Sequence, residues 1–378
     1  MTTRAFFENS TTIQFEFSST AELPSFVEWL DDYWAQCEAV TQLNVGNDAD
    51  NLLPLPGARI SLCTLHGVVW RLPNLQGLHL RGLVLVECTI ANHEHIRPPN
   101  ALFLTTITLD RVATTLPPDF DPLDIIEFAP RLTSVRIVNC HSLIAVGHRT
   151  TRIPGEFGPL PFPPISLTVA FPTRYPDQRP DYWRSPLGWY DFAERMSHER
   201  GNRVLSFENV HDRAAQTVAT LIDSAAGVLE NLRFEFGRHF QTSIPSMWNG
   251  VQMIDCYCLR HVTFLMAVEL LLDVSEDPPR QLMFDSVLAI ASELPVAMES
   301  IVVELIIGDS EEELLALEVL SIEWEGFETL LLERLTRARL AAVIRGARDL
   351  TQSFDFVSLL EERMPLLTEQ GRLSVATS

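Results

Sequence analysis

The 378-residue chain contains no lysine; all 28 of its basic residues are arginine. Without lysine a GxxxxGK phosphate loop cannot be built, and GxGxxG is absent too, so no phosphate-cradling loop is expected. Arginine does not accept ubiquitin, whereas lysine does. Compositional drift is one reading of that gap; avoidance of modification by a nearby ubiquitin ligase is the sharper one. No GxSxG nucleophile elbow occurs. No apolar run reaches the ~18–20 residues of a membrane-spanning helix; the longest, VTFLMAVELLLDV, already carries Glu269. The opening MTTRAFFENSTT lacks the apolar core and cleavage site of a secretory signal, so none is expected. The six cysteines, at 37, 63, 88, 140, 256 and 258, are too scattered for a disulfide framework. They read as reduced thiols of a cytoplasmic or nuclear protein.

Positive charge is also scarce. The 28 basic residues face 50 acidic ones, for a net charge of −22. Residues 1–200 carry 15 basic and 22 acidic residues, residues 201–378 carry 13 and 28. The field of such a chain repels polyanions, which excludes nucleic acid and anionic membranes as expected partners. A hydrophobic content of 46% with 21% charged residues is a globular balance.

A spaced apolar pattern is what the sequence does contain. In RLTSVRIVNCHSL, Leu132, Val135 and Ile137 follow the order L-x-x-L-x-L. The same order recurs at Leu75, Leu78 and Leu80, at Leu104, Ile107 and Leu109, at Leu229, Leu232 and Phe234, and at Leu259, Val262 and Phe264. Val40, Leu43 and Val45 give an earlier copy, and Met298, Ile301 and Val303 a later one. Such spacing at ~20–29 residues is the strand signature of leucine-rich repeats; these copies are long and irregular. Alternate strand residues face opposite ways, so each strand should be apolar on one side and wet on the other. Strands of doubly wound sheets and closed barrels read instead as continuous apolar runs.

The expected fold is therefore α/β: an irregular leucine-rich-repeat-like solenoid with a parallel concave sheet and outer helices, one domain over residues 1–378. The concave face should present His79, Arg81, Thr106, Thr108, Asp110, Ser134 and Arg136 from the first copies. From the later copies it should present Asn231, Arg233, Glu235, His261 and Thr263. Cys140 takes an inward slot as a small hydrophobe, and His141 begins the turn after it, so Cys140–His141 is not read as a nucleophile and base.

Helical periodicity predicts helices over 21–40, with Phe26, Trp29, Leu30 and Trp34 on one face, and over 185–201, 212–228 and 353–371. Asp212 is placed to cap the third, and Pro365 to kink the last. Residues 153–190 hold nine prolines and form an insertion, with the strand ISLTVAF inside it. Its Tyr175, Tyr182 and Trp183 are candidate partner-binding residues; convex-side packing is the plainer reading. His93 and His95, and Cys256 with Cys258 and His261, are too incomplete for a metal site; Cys258 is placed in the core. No metal, cofactor or catalytic residue is expected.

The pieces LPNLQGLHL, LENLRFEFG and LRHVTF, with the C-terminal SIEWEGFETLLLERLTRARLAAVI and LEERMPLLTEQGRLSV, resemble fungal F-box-associated leucine-rich-repeat-like proteins over residues 40–376. The Leu-Pro-x-Glu opening of an F-box is not matched in LPSFVEWLDDYW. The resemblance implies a monomeric, non-enzymatic scaffold that binds a protein partner. It also implies an adaptor that selects substrates for ubiquitination, with the ligase linker protein as a possible second partner. The alternatives are a hydrolase-type enzyme using the Pro-rich loop as a lid, and an orphan repeat protein without its F-box.

Overall fold

The computed structural model describes residues 4–16, 23–46, 59–86, 103–114, 129, 131–138, 141–142, 165–171, 202–210, 214–236, 248, 251–267, 282–306, 324–345 and 356–377. The chain divides into two compact units, Met1–Val169 with Pro176–Arg200, and Ala170–Tyr175 with Gly201–Ser378. Both carry parallel strands and helices, an α/β organisation. No helix among the described residues is long and apolar enough to cross a membrane.

The first unit opens with the hairpin β1 (Arg4–Asn9) and β2 (Thr12–Glu16), then α1 (Leu23–Asp32), α2 (Trp34–Cys37), β3 (Gln42–Gly46), β4 (Arg59–Ser61) and α3 (Leu62–Trp70). It continues with β5 (Gly77–Arg81), β6 (Val84–Val86), β7 (Thr106–Asp110), β8 (Ala113–Thr114), β9 (Ser134–Val138), β10 (His141–Ser142) and β11 (Ile165–Ala170). The main sheet runs β1-β2-β3-β5-β7-β9-β11, antiparallel at β1–β2 and parallel from β2 through β9. The buried residues Leu43, Leu78, Ile107 and Val135 stand beside one another in register, although 35, 29 and 28 residues separate them in sequence. Val40, Leu75, Leu104 and Leu132, three positions earlier, are buried as well. Each apolar position of the repeat thus fills one layer of a common core.

Strand entry is held by shared carbonyls. Thr41 O accepts from Gln76 N and Gly77 N at 2.8 and 2.9 Å, Gln76 O from Thr105 N and Thr106 N at 2.8 and 3.0 Å, and Thr105 O from Thr133 N and Ser134 N at 2.9 and 3.0 Å. The Thr105 and Thr133 hydroxyls donate to the same acceptors at 3.2 Å. After β5 and β7 the chain turns a corner through left-handed residues, Gly82 at φ 63° and Arg111 at φ 53°. Gly82 N donates to Asp110 O, and Arg111 N to Val138 O. The corner leads into a second parallel sheet, β4-β6-β8-β10. His141 is therefore not the start of a turn, as the spacing predicts; it opens β10, paired with Ala113. Cys140 lies outside the described residues.

The helix predicted over 21–40 is broken at Tyr33 (φ −111°, ψ 27°). The break moves Trp34 off the face that buries Phe26 and Leu30, so Trp34 is exposed where the periodicity predicts burial. Phe26 instead stacks on Phe15 of β2, ring centroids 3.9 Å apart.

The second unit contains β12 (Asn202–Val210), α4 (Ala215–Ala225), β13 (Asn231–Phe236), β14 (His261–Ala267), α5 (Leu282–Ser292), β15 (Ser300–Ile306), α6 (Trp324–Glu333), β16 (Arg339–Arg345), α7 (Phe356–Arg363), α8 (Pro365–Glu369) and β17 (Leu373–Thr377). Its strands are parallel, in chain order. Leu205, Leu232, Val262, Ile301 and Leu340 form one buried row, and Phe207, Phe234, Phe264, Val303 and Ala342 the next. The phenyl rings of that second row are spaced 5.7 and 5.6 Å apart. Burial of one such side chain stabilises by about 1.5–3 kcal/mol. The N-cap of α4 is Ala214, without a side-chain cap, rather than Asp212, which lies outside the described residues. The helix predicted over 353–371 ends at Met364 and restarts with Pro365, whose missing N–H costs nothing at a helix start. The helix predicted over 185–201 lies outside the described residues.

Candidate functional site

Side chains on the outward sheet face of the first unit fall into lateral rows set by strand register. Gln14, Asn44, His79, Thr108 and Arg136 occupy one row across β2, β3, β5, β7 and β9. Thr12, Gln42, Gly77, Thr106 and Ser134 occupy the row toward strand entry, and Glu16, Gly46, Arg81 and Asp110 the row toward strand exit. Neighbouring strands lie about 4.8 Å apart, so the row Gln14–Asn44–His79–Thr108–Arg136 repeats a hydrogen-bonding side chain at that pitch, while glycines interrupt the other two at Gly77 and Gly46. All seven predicted residues of this unit therefore share one face. Gln14, Gln42 and Asn44 belong to it too; the alternation in TIQFE and QLNVG marks them in the same way. Gly46 is needed there, because a Cβ would lie 2.5 Å from Arg81 O.

The electrostatics of the face are mostly self-compensating. Asp110 lies between Arg81 (Nε–Oδ2 3.3 Å) and Arg111 (Nε–Oδ1 3.5 Å). Arg136 is exposed. His79 departs from the predicted solvated position: its ring is half-buried, and Nε2 is sealed from water with no hydrogen-bond partner. Burial lowers the imidazole pKa below its usual value; Asp110 opposes the shift, and Arg81 and Arg136 reinforce it.

The second unit places Asn231 beside His261 and Ser300, and Arg233 beside Thr263 and Val302. Arg233 also reaches Glu235 on its own strand at 3.8 Å. This face is not wet throughout. Leu265, between Glu235 and Glu304 in register, is buried, and Val302, Ala341 and Val343 are half-buried on the same side. Glu304 is pinned by Arg345 at 3.3 Å. The alternation expected from LRHVTF does not continue past Thr263, because the following LMA keeps an apolar residue on both faces.

Cys256, not Cys258, takes the core position. Cys256 is buried, and burial pushes its thiol pKa up to about 11, whereas Cys258 is half-buried in a turn and donates to Gly227 O at 3.4 Å. Among the described residues no group of three or more His, Cys, Asp and Glu side chains is placed to hold a metal ion. His93, His95, Tyr175, Tyr182 and Trp183 lie outside the described residues, as does the Pro-rich segment except residues 165–171.

Compared with known proteins, the sequence matches no family model and no curated protein.

Proposed function

We propose that the chain is a protein-recognition scaffold built as an irregular leucine-rich-repeat-like solenoid, and that the outward sheet faces are its binding surface. The observation that carries this reading is the row Asn44–His79–Thr108–Arg136, in which four successive parallel strands each supply one polar side chain at a fixed pitch. Fixed-pitch rows suit an extended partner, since each repeat adds a few contacts. The half-buried apolar residues of the second unit's face suit a protein better than a polyanion, as does the net charge of −22. The scaffold binds its partner without altering it chemically.

Within that reading the favoured task is substrate selection for ubiquitination. It is supported by the resemblance to F-box-associated repeat proteins and by the absence of lysine, which would spare an adaptor from its own ligase. Affinity capture from native extract, comparing the natural chain with the triple variant Arg136→Ala, Arg233→Ala, His79→Ala, tests both levels. The expected result is a captured protein lost with the variant, together with the ligase linker protein retained by both. Unchanged capture by a folded triple variant removes the sheet face as the site. Capture of a partner without the linker protein removes the adaptor role and leaves the scaffold.

A further inference from the structure

The first unit carries a second surface, away from the strand rows. Trp34 and Trp70 are 67% and 61% exposed, and Tyr33 between α1 and α2 is 42% exposed. Indoles this accessible offer large apolar faces of the kind enriched at interfaces, and two tertiary contacts hold their segments side by side. The Arg71 guanidinium grips Asp31 through both carboxylate oxygens, at 2.6 and 3.0 Å. The Asn74 amide donates to Glu38 O at 2.7 Å. Residues 31–38 and 70–74 therefore form one platform, and each segment contributes an exposed indole.

The platform is acidic. Glu28, Asp31, Asp32 and Glu38 are all exposed on its α1–α2 side, against the single cation Arg71. Glu38 follows Trp34 by four residues at the end of α2, the spacing that brings side chains to one helical face. Asp31 and Asp32 stand at the C-terminal end of α1, where the helix dipole makes a carboxylate unfavourable and a cation welcome. The platform already contains a small version of the contact it invites, since Arg71 lies over the Trp70 ring at 6.0 Å while bound to Asp31. An anionic lipid surface or another copy of this acidic chain would be repelled.

We propose that Trp34 and Trp70, with Asp32 and Glu38, form a docking surface for an arginine-bearing cationic segment of a partner protein, whose guanidinium stacks on Trp34 while the two carboxylates take its charge. Cation–π stacking on Trp is the strongest of its kind, and Trp and Tyr are the residues that dominate interface energetics.

The probe is a fluorescein-labelled twelve-residue peptide of alternating arginine and leucine, with a glutamate-for-arginine version as control, read by fluorescence anisotropy at 0.1 M NaCl. The arginine peptide should bind and the glutamate peptide should not. Trp34→Ala with Trp70→Ala should weaken binding about tenfold or more, and Asp32→Asn with Glu38→Gln several-fold. Glu325→Gln with Glu361→Gln, two exposed carboxylates of the other unit, should leave affinity unchanged. Circular dichroism melts should match the natural chain, because both indoles are exposed. Full affinity in the tryptophan variant overturns the proposal. So does equal loss in the Glu325/Glu361 variant, which would mean that the peptide senses only bulk charge, and so does self-association of the natural chain abolished by Trp34→Ala.

Discussion

His79 shows what a single repeat position can do to a titrating group. Its ring is half-buried, with Asp110, Arg81 and Arg136 as the charged groups acting on it. A depressed imidazole pKa means that the unfolded chain binds the proton more readily than the folded one. Stability is then fully present above the ordinary value of 6.5 and is lost as pH falls toward the depressed folded pKa. Urea denaturation at pH 7.5 and 5.5 should show a larger loss on acidification for the natural chain than for His79→Gln. An equal loss in both would mean that the ring protonates without penalty. The same residue marks a limit of sequence reading. Alternation places His79 on the polar side correctly, but Nε2 is sealed from water and two of the charges acting on the ring, Asp110 and Arg136, come from other strands, so its electrostatics are not written in the strand that carries it.

At the scale of elements, the C-terminal end of α6 is held by one side chain. The Arg372 guanidinium donates to Leu331 O at 3.0 Å, Leu335 O at 2.8 Å and Ala338 O at 2.8 Å, while the Arg372 carbonyl accepts from Leu340 N. A cation there satisfies orphan carbonyls and faces the negative end of the helix. Arg372→Met keeps the stem and removes the donors, and should cost about 1.5–2 kcal/mol, the lower part of the range for charge-assisted hydrogen bonds because these are part-buried; a loss below about 0.5 kcal/mol in urea denaturation would show that water replaces them. Glu328 plays the complementary part at α8, its Oε1 accepting from Leu366 N at 2.7 Å and Leu367 N at 3.0 Å. Neither contact is legible in sequence, because Glu328 and Arg372 sit 38 and 41 residues from Leu366 and Leu331 respectively. The strands are legible because their signal is local: LPNLQGLHL and LENLRFEF state both burial and direction. The short strands β4, β6, β8 and β10 carry too few residues for a period of two to register, so the second sheet escapes notice. The break at Tyr33 escapes too, since a helical period runs through WLDDYW unbroken.

For the whole molecule, charge decides more than any single pair. The exposed ion pairs Arg203–Glu230 at 3.4 Å and Arg260–Glu299 at 3.4 Å alternate along the strand-entry edge of the second unit. Pairs of this kind stabilise by about 0–1 kcal/mol and weaken as salt screens them. Against them stands the self-repulsion of a chain with net charge −22, which opposes compaction and is screened by the same salt. The two effects predict opposite responses. With 22 carboxylates in excess, repulsion is the larger, so raising NaCl from 20 to about 300 mM, which contracts the Debye length below ~10 Å, should raise the melting temperature. A melting temperature that falls over this range would mean that the Arg–Glu ladder outweighs the global field. In that case Arg260→Gln, which removes the shared link between Glu299 and the turn at Tyr257, should make the fall smaller, with Arg203–Glu230 left in place.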